Sequence, residues 1–322
     1  MIKGHSSTRE WLQIDSYVFT LYEAMTSWLV VLGLCALFAD SYGLPSKDFR
    51  PHTSELIQNG NRAPKYKFPH VVLVSNVWVH DLSGNRTKNC TGTILTPKHI
   101  LTAAQCTEAG DFSAIGFWVF AGYLNRDDPD PKEVQKVWAS TFTRHPNYVR
   151  DYLLPGNHHD LAILHLDDPL EFSRLVQPTV IPKTDQFMKN IPHFWSVGYG
   201  AIGYANMNFI NSKVLRYGET PLVDRDECNR RLAYVHRGAL GDLELCTELA
   251  VEDGWARGIL QGDNGGPLLI AYEVQVQVAT IRGSVDDDQY QLDQDKRPAV
   301  HTRLAPYCNW LHEVTGNSYS CL

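Results

Sequence analysis

The stretch QGDNGGPL, residues 261–268, sets Asp263 and Asn264 in a glycine-rich turn ahead of an apolar run. Such a backbone presents the side chain after Asp263 at its most exposed point, and there the chain has an amide. Asn264 is no nucleophile, because its nitrogen lone pair is delocalised and it has neither hydroxyl nor thiol. Two other stretches hold residue types that can do chemistry. HHDLAILHL, 158–166, sets His158 and His159 beside Asp160, and ILTAAQC, 100–106, ends on Gln105 and Cys106. An imidazole can take a proton near neutral pH, whereas the carboxamide of Gln105 cannot. His158 and His159 stand just ahead of a strand-like run, where surface exposure is expected. Ser212, Thr280 and Ser284 are hydroxyls without a motif around them and read as structural or solvated. The acidic stretches NRDDPDPKE (125–133) and SVDDDQYQLDQDK (284–296) have carboxylates that could attract calcium. They lack EF-hand spacing and read as solvated loops, so neither a metal nor a cofactor is expected.

The elements that must position these residues are strands. Past residue 56, short apolar runs with a period near two are broken about every ten residues by Gly, Pro, Asn or Asp, an all-β pattern. The clearest runs are HVVLVSNVWVH, GTILTPKHILTAA, FWVFAG, LAILHL, FWSVGYG, GPLLIAY and VQVQVAT. One helix is predicted near the C-terminus, where Tyr307, Trp310, Leu311 and Val314 share a face and Gly316 ends the run.

The chain has 322 residues, 43% of them hydrophobic, and a formal net charge of -7. It can bury a large core. Without a run of lysine or arginine, it offers no electrostatic footprint for nucleic acid or an anionic membrane, and basic partners suit it better. Residues 28–39, WLVVLGLCALFA, are too few to span a bilayer as a helix and suit the core of a signal peptide. Ser41 and Gly43 occupy the small-residue positions for cleavage after Gly43. Met25, just ahead of the apolar run, is an alternative start, and an uncleaved anchor with a cytoplasmic tail is the alternative to cleavage. Of seven cysteines, Cys35 lies in the apolar run. The six others fall into near-neighbour couples, so among the many pairings open to them Cys90–Cys106, Cys228–Cys246 and Cys308–Cys321 is the simplest. Asn85 and Asn89 head N-glycosylation sequons, the second weakened by Cys90 at its centre.

Taken together, CTGTILTPKHILTAAQC (90–106), HHDLAILHL and QGDNGGPL resemble, in this order, three motifs of the chymotrypsin and trypsin family of serine proteases. IQNG (57–60) is similar to the family's activated N-terminus, and RPAVHTRLAPYCNWL (297–311) to its last strand and helix. The resemblance implies two antiparallel six-stranded β-barrels, Greek key in topology, across a cleft, with a short C-terminal helix. It places Gln105, Asp160 and Asn264 at the positions of the family's general base, orienting aspartate and nucleophile, a degenerate triad with no intact catalytic set. Gly262 falls at the oxyanion-hole position. Gly258, Ile281, Arg282 and Ala299 fall at pocket positions, with Arg282 a bulky cation at the entrance. Two of the three cysteine couples match family bridges, and apolar residues stand where others would be: Leu260 in one, Phe194 and Ile270 in another. Ile57 is the activation position, and its freed amine would pair with Asp263, but Glu55 and Leu56 precede it rather than a basic residue.

The expected organisation is therefore a signal region over 1–43, a pro-segment over 44–56, a homology domain over 57–316 and a tail over 317–322. Within the domain, the first barrel covers about 57–172, the second about 173–306 and the helix about 307–316. The function expected is that of a secreted, non-catalytic homologue that binds an extracellular protein, either a protease or a protease's substrate or inhibitor. Nucleic acid and, for the mature form, membrane are not expected partners. The alternative is an active serine-type endopeptidase-like hydrolase with an unusual constellation.

Overall fold

A computed structural model of the chain describes residues 60–322, apart from 81–83, 109–113, 128, 131, 192, 206–207, 235–236, 249, 253–254, 271–274 and 284–297. The expected signal region, pro-segment, Ile57 and the second acidic stretch lie outside the described residues.

Seven strands build the first sheet: β1 (Val71–His80), β2 (Gly84–Thr96), β3 (His99–Thr102), β4 (Ala114–Ala121), β5 (Gln135–Ala139), β6 (Thr141–Arg144) and β7 (Ala162–His165). Among the described residues their order is β5-β4-β1-β2-β3-β7-β6, and every pairing is antiparallel. The outermost strands, β5 and β6, are separated only by Ser140, so one bent strand serves both edges and the sheet curls into a barrel. Asp167 holds the bend, taking hydrogen bonds from the Ser140 N–H at 3.1 Å and hydroxyl at 2.7 Å.

The second sheet repeats the device with β8 (Phe194–Gly198), β9 (Arg216–Thr220), β10 (Leu222–Val223), β11 (Glu244–Thr247), β12 (Pro267–Ile270), β13 (Val276–Gly283) and β14 (Ala299–Arg303). Its order is β9-β8-β12-β13-β14-β11-β10, with the two-residue strand Asn61–Arg62 added outside β9. Here Pro221, which has no N–H to give to a ladder, separates β9 from β10 and marks the bend. Counting each bent strand once, both sheets are the expected six-stranded barrels.

The apolar run that opens β1, Val71 to Val74, follows from burial on both faces. Val72 and Val74 enter the first barrel's core, while Val71 and Leu73 pack against Val197, Tyr199 and Leu269 of the second. Near the C-terminus, helix α2 (Cys308–Val314) lays Leu311 against Leu95, Leu101, Leu161 and Ile163. The residues after it are docked rather than loose, with Tyr319 and Cys321 buried and the Leu322 N–H donating to the Ile181 carbonyl. Disulfides join Cys90 to Cys106, Cys228 to Cys246 and Cys308 to Cys321. A second helix, α1 (Arg225–Tyr234), is not among the predicted elements. Its apolar face is only Cys228 and Leu232, too narrow a stripe to register as amphipathic.

Candidate functional site

Gln105, Asp160 and Asn264 come from segments far apart in the chain and meet in one hydrogen-bonded line. Gln105 lies on a short 3-10 turn, Ala104–Thr107, just after β3. Asp160 precedes β7, behind His159, whose φ of 49° is unusual outside glycine. Asn264 tops the turn before β12, between Gly262 (φ 102°) and Gly265 (φ 85°). A Cβ at Gly265 would stand 2.1 Å from the Thr102 hydroxyl, so only glycine fits there.

The backbone N–H of Gln105 donates to Asp160 Oδ1 at 2.9 Å, and its amide Nε2 donates to Asp160 Oδ2 at 2.7 Å and to the Arg282 carbonyl. Asn264 Nδ2 donates to Gln105 Oε1 at 3.0 Å. All three side chains are buried. Burial pushes the Asp160 carboxyl up from its ordinary value, against the lowering effect of the two Gln105 donors, Arg282 and Tyr152. With amides at both further positions, the line can hold and orient groups. It supplies no hydroxyl or thiol to attack and no imidazole to move a proton.

Asp263 is fully buried behind Asn264, and its carboxyl is raised to about 7, chiefly by desolvation. Its oxygens accept N–H bonds from Gly200 at 2.8 Å and from Leu260 at 3.0 Å. A Cβ on Gly198 or Gly200 would fall within 2.4 Å of this carboxylate, which explains the glycines flanking Tyr199.

One expectation is corrected beside the line. His158 is buried, not exposed. It lies two residues from Asp160, so alternation turns both to the same inward side, and only His159 between them stays half-exposed. Arg282, expected as a bulky cation at the pocket entrance, is ion-paired and stacked. Its guanidinium packs over the Tyr152 ring, 4.3 Å from the centroid, and donates to Glu244 Oε1 at 2.8 Å. The same carboxylate oxygen lies 2.9 Å from His158 Nδ1. Burial alone would push the Glu244 carboxyl up, but the His158 hydrogen bond and the Arg282 charge outweigh it and hold it below its ordinary value. Ile281 and Ala299 are buried with Ile259 in a small apolar cluster, and Gly258 is buried as well. Phe194 and Ile270 are direct partners across β8 and β12 and both are buried. Asn85 and Asn89 both belong to β2 rather than to a loop; the side chain of Asn85 lies outside the described residues.

Residues 57–311 match the family described as Trypsin. The chain belongs to the trypsin family. Among its trypsin-family relatives, it is 27% identical over 285 residues to the clotting factor G beta subunit of Tachypleus tridentatus, covering 85% of this chain and 84% of that one. It is 26% identical over 277 residues to chymotrypsin-like elastase family member 1 of Rattus norvegicus, covering 85% and 94%. With serine protease 7 of Drosophila melanogaster it shares 26% over 287 residues, covering 82% and 66%. The described residues thus form a trypsin-like serine protease domain, mostly β with few helices. Sequence reasoning missed Glu244, a buried charge that pairs with Arg282 and His158 beside this trypsin-family site. The signal was present in LELC, because Glu244 lies two residues before the buried, disulfide-bonded Cys246 and must share its inward face.

Proposed function

We propose that this chain is a secreted, non-catalytic member of the trypsin family that acts by binding a protein, as a cofactor, decoy or regulator of extracellular proteolysis. The observation that carries the reading is the line Asn264–Gln105–Asp160, in which amides take the positions that the family resemblance gives to a nucleophile and a general base. Loss of either group in such a site costs on the order of 10⁶ in turnover, leaving only what binding and backbone donors contribute. The line is also self-satisfied: each amide has a partner, so it behaves as a rigid floor to the cleft. Secretion is supported by the apolar run 28–39 and by three disulfides, which persist in oxidising compartments. Among the described residues, no helix is long and apolar enough to cross a membrane.

The test exposes purified protein to a fluorophosphonate probe and to mixed peptide substrates, with an active trypsin-family protease in parallel. No labelling and no turnover are expected, together with saturable binding of a protein from extracellular fluid. Stoichiometric labelling would overturn the proposal in favour of an active hydrolase with an unusual constellation.

A further inference from the structure

The outer face of the first barrel carries a line of residues that the site does not use. Ser75 of β1 is the direct partner of Asn89 on β2 and of Trp118 on β4, and Trp118 is the direct partner of Trp138 on β5. Direct partners share a face, so Asn89, Ser75, Trp118 and Trp138 run in one row across four strands. That face is the outer one, since the neighbouring Val74, Cys90 and Val119 point into the core. Asn89 and both tryptophans are half-buried. The indole rings lie 4.7 Å apart and tilted by 62°, with the Lys136 ammonium 4.0 Å from the centroid of Trp118. Two strand spacings put Asn89 roughly 10 Å from Trp118 along the row, the reach of one or two sugar rings. Ser75, the small residue between them, is buried beneath its larger neighbours. Among the described residues, the Asn89 amide has no hydrogen-bond partner, and Thr91 completes its sequon.

We propose that Asn89 carries an N-linked glycan whose first N-acetylglucosamine lies over Ser75 and packs its C–H face on Trp118, with Trp138 as the backstop. A sugar's C–H face is apolar with slightly positive hydrogens, which suits the negative face of an indole. In the attachment step, Asn89 Nδ2 forms a bond to the sugar C1 of a lipid-pyrophosphate-linked oligosaccharide. The C1–oxygen bond breaks, the lipid pyrophosphate leaves with the electron pair, and the amide gives up one proton. Thr91 is fully buried in the fold, its hydroxyl donating to the Gly262 carbonyl, so attachment precedes folding of this strand. The proposal rests on the secretory part of the proposed function, and its test separates the two.

The full chain is expressed in eukaryotic secretory cells, alone and with Asn85→Gln, and glycopeptides are read by mass spectrometry. Occupancy of Asn89 is expected in both. In protein trimmed to a single N-acetylglucosamine, nuclear Overhauser contacts from the sugar to the Trp118 indole are expected. Asn89→Gln should lower the thermal midpoint by about 2–4 °C, as should Trp118→Leu, and the double variant should fall no further than either. An occupied Asn85 beside a bare Asn89 overturns this proposal and leaves secretion standing. If neither sequon of the parent chain is modified and the chain is retained in the cell, both proposals are overturned. Occupancy without indole contacts, or losses that add in the double variant, overturns the docking.

Discussion

Asp263 has no room to move: two glycines press on it and two backbone N–H groups hold it. Its carboxyl is raised to about 7 from an ordinary 3.8, so between those values the folded chain binds a proton that the unfolded chain has already lost. Stability from this group therefore falls as pH rises from about 4 to 7. That rise, from 3.8 to about 7, is worth at most about 4 kcal/mol. Asp263→Asn removes the titration. Relative to the parent, the variant should gain stability across that window, as read by urea unfolding at pH 4.5 and pH 8. A flat difference, or one of opposite sign, would mean that a cation reaches Asp263, as the amine of a chain cut before Ile57 would by the family resemblance. At this scale, it is the family resemblance carried by three motifs that brings Gln105, Asp160 and Asn264 together, and their hydrogen bonds in the fold agree with it. The direction of Arg282 was not legible, because it depends on Glu244, a charge contributed by a different strand.

Among elements, strands were readable and helix α1 was not. Strands announce themselves through burial on alternate residues or, for β1, on both faces, and few other patterns mimic that. Helix α1 buries only Cys228 and Leu232 and spends its surface on charge: Glu227 pairs with both Arg230 and Arg231, three and four residues on. What begins it is local chemistry. Asp224 Oδ1 accepts the N–H of Asp226 at 2.8 Å and of Glu227 at 3.4 Å, and Asp226 and Glu227 lie in the first turn, where the helix dipole favours them. DRDE was thus the helix signal, an N-terminal cap with acid behind it rather than a periodic face. A helix resting on its cap is sensitive to the cap. Asp224→Ala should cost about 1 kcal/mol, while Asp226→Ala, which leaves the capping oxygen in place, should cost a few tenths. Chemical denaturation of the two variants side by side distinguishes them, and equal losses would show that the cap is not what holds α1.

At the scale of the whole molecule, apolar packing along β1 and a buried charged cluster join the two barrels. His158 comes from the segment leading into β7 of the first barrel, and Glu244 and Arg282 from β11 and β13 of the second. The cluster also touches the site, since Arg282 presents its carbonyl to Gln105 and Tyr152 donates its hydroxyl to Asp160. The all-β class was legible from alternating runs and the paired barrels from the family resemblance, but this clamp was not, because opposite charges in distant strands carry no mark of their pairing. Removing one partner is informative because the other stays buried. Arg282→Ala leaves Glu244, whose side chain is 1% exposed, with His158 and the Gly241 N–H but without its guanidinium partner, and should cost about 3–5 kcal/mol. The same principle makes a matched apolar replacement, Arg282→Met with Glu244→Leu, milder than the single change. The pH dependence fixes the cause. Because the Glu244 carboxyl is held below its ordinary 4.5, its contribution is present above that value and is lost as pH falls through the folded-state value. The gap between parent and Arg282→Ala should thus be widest at neutral pH and narrow below about pH 4.5. A gap that is constant with pH would assign the loss to the packing of Arg282 on Tyr152 instead of to its charge.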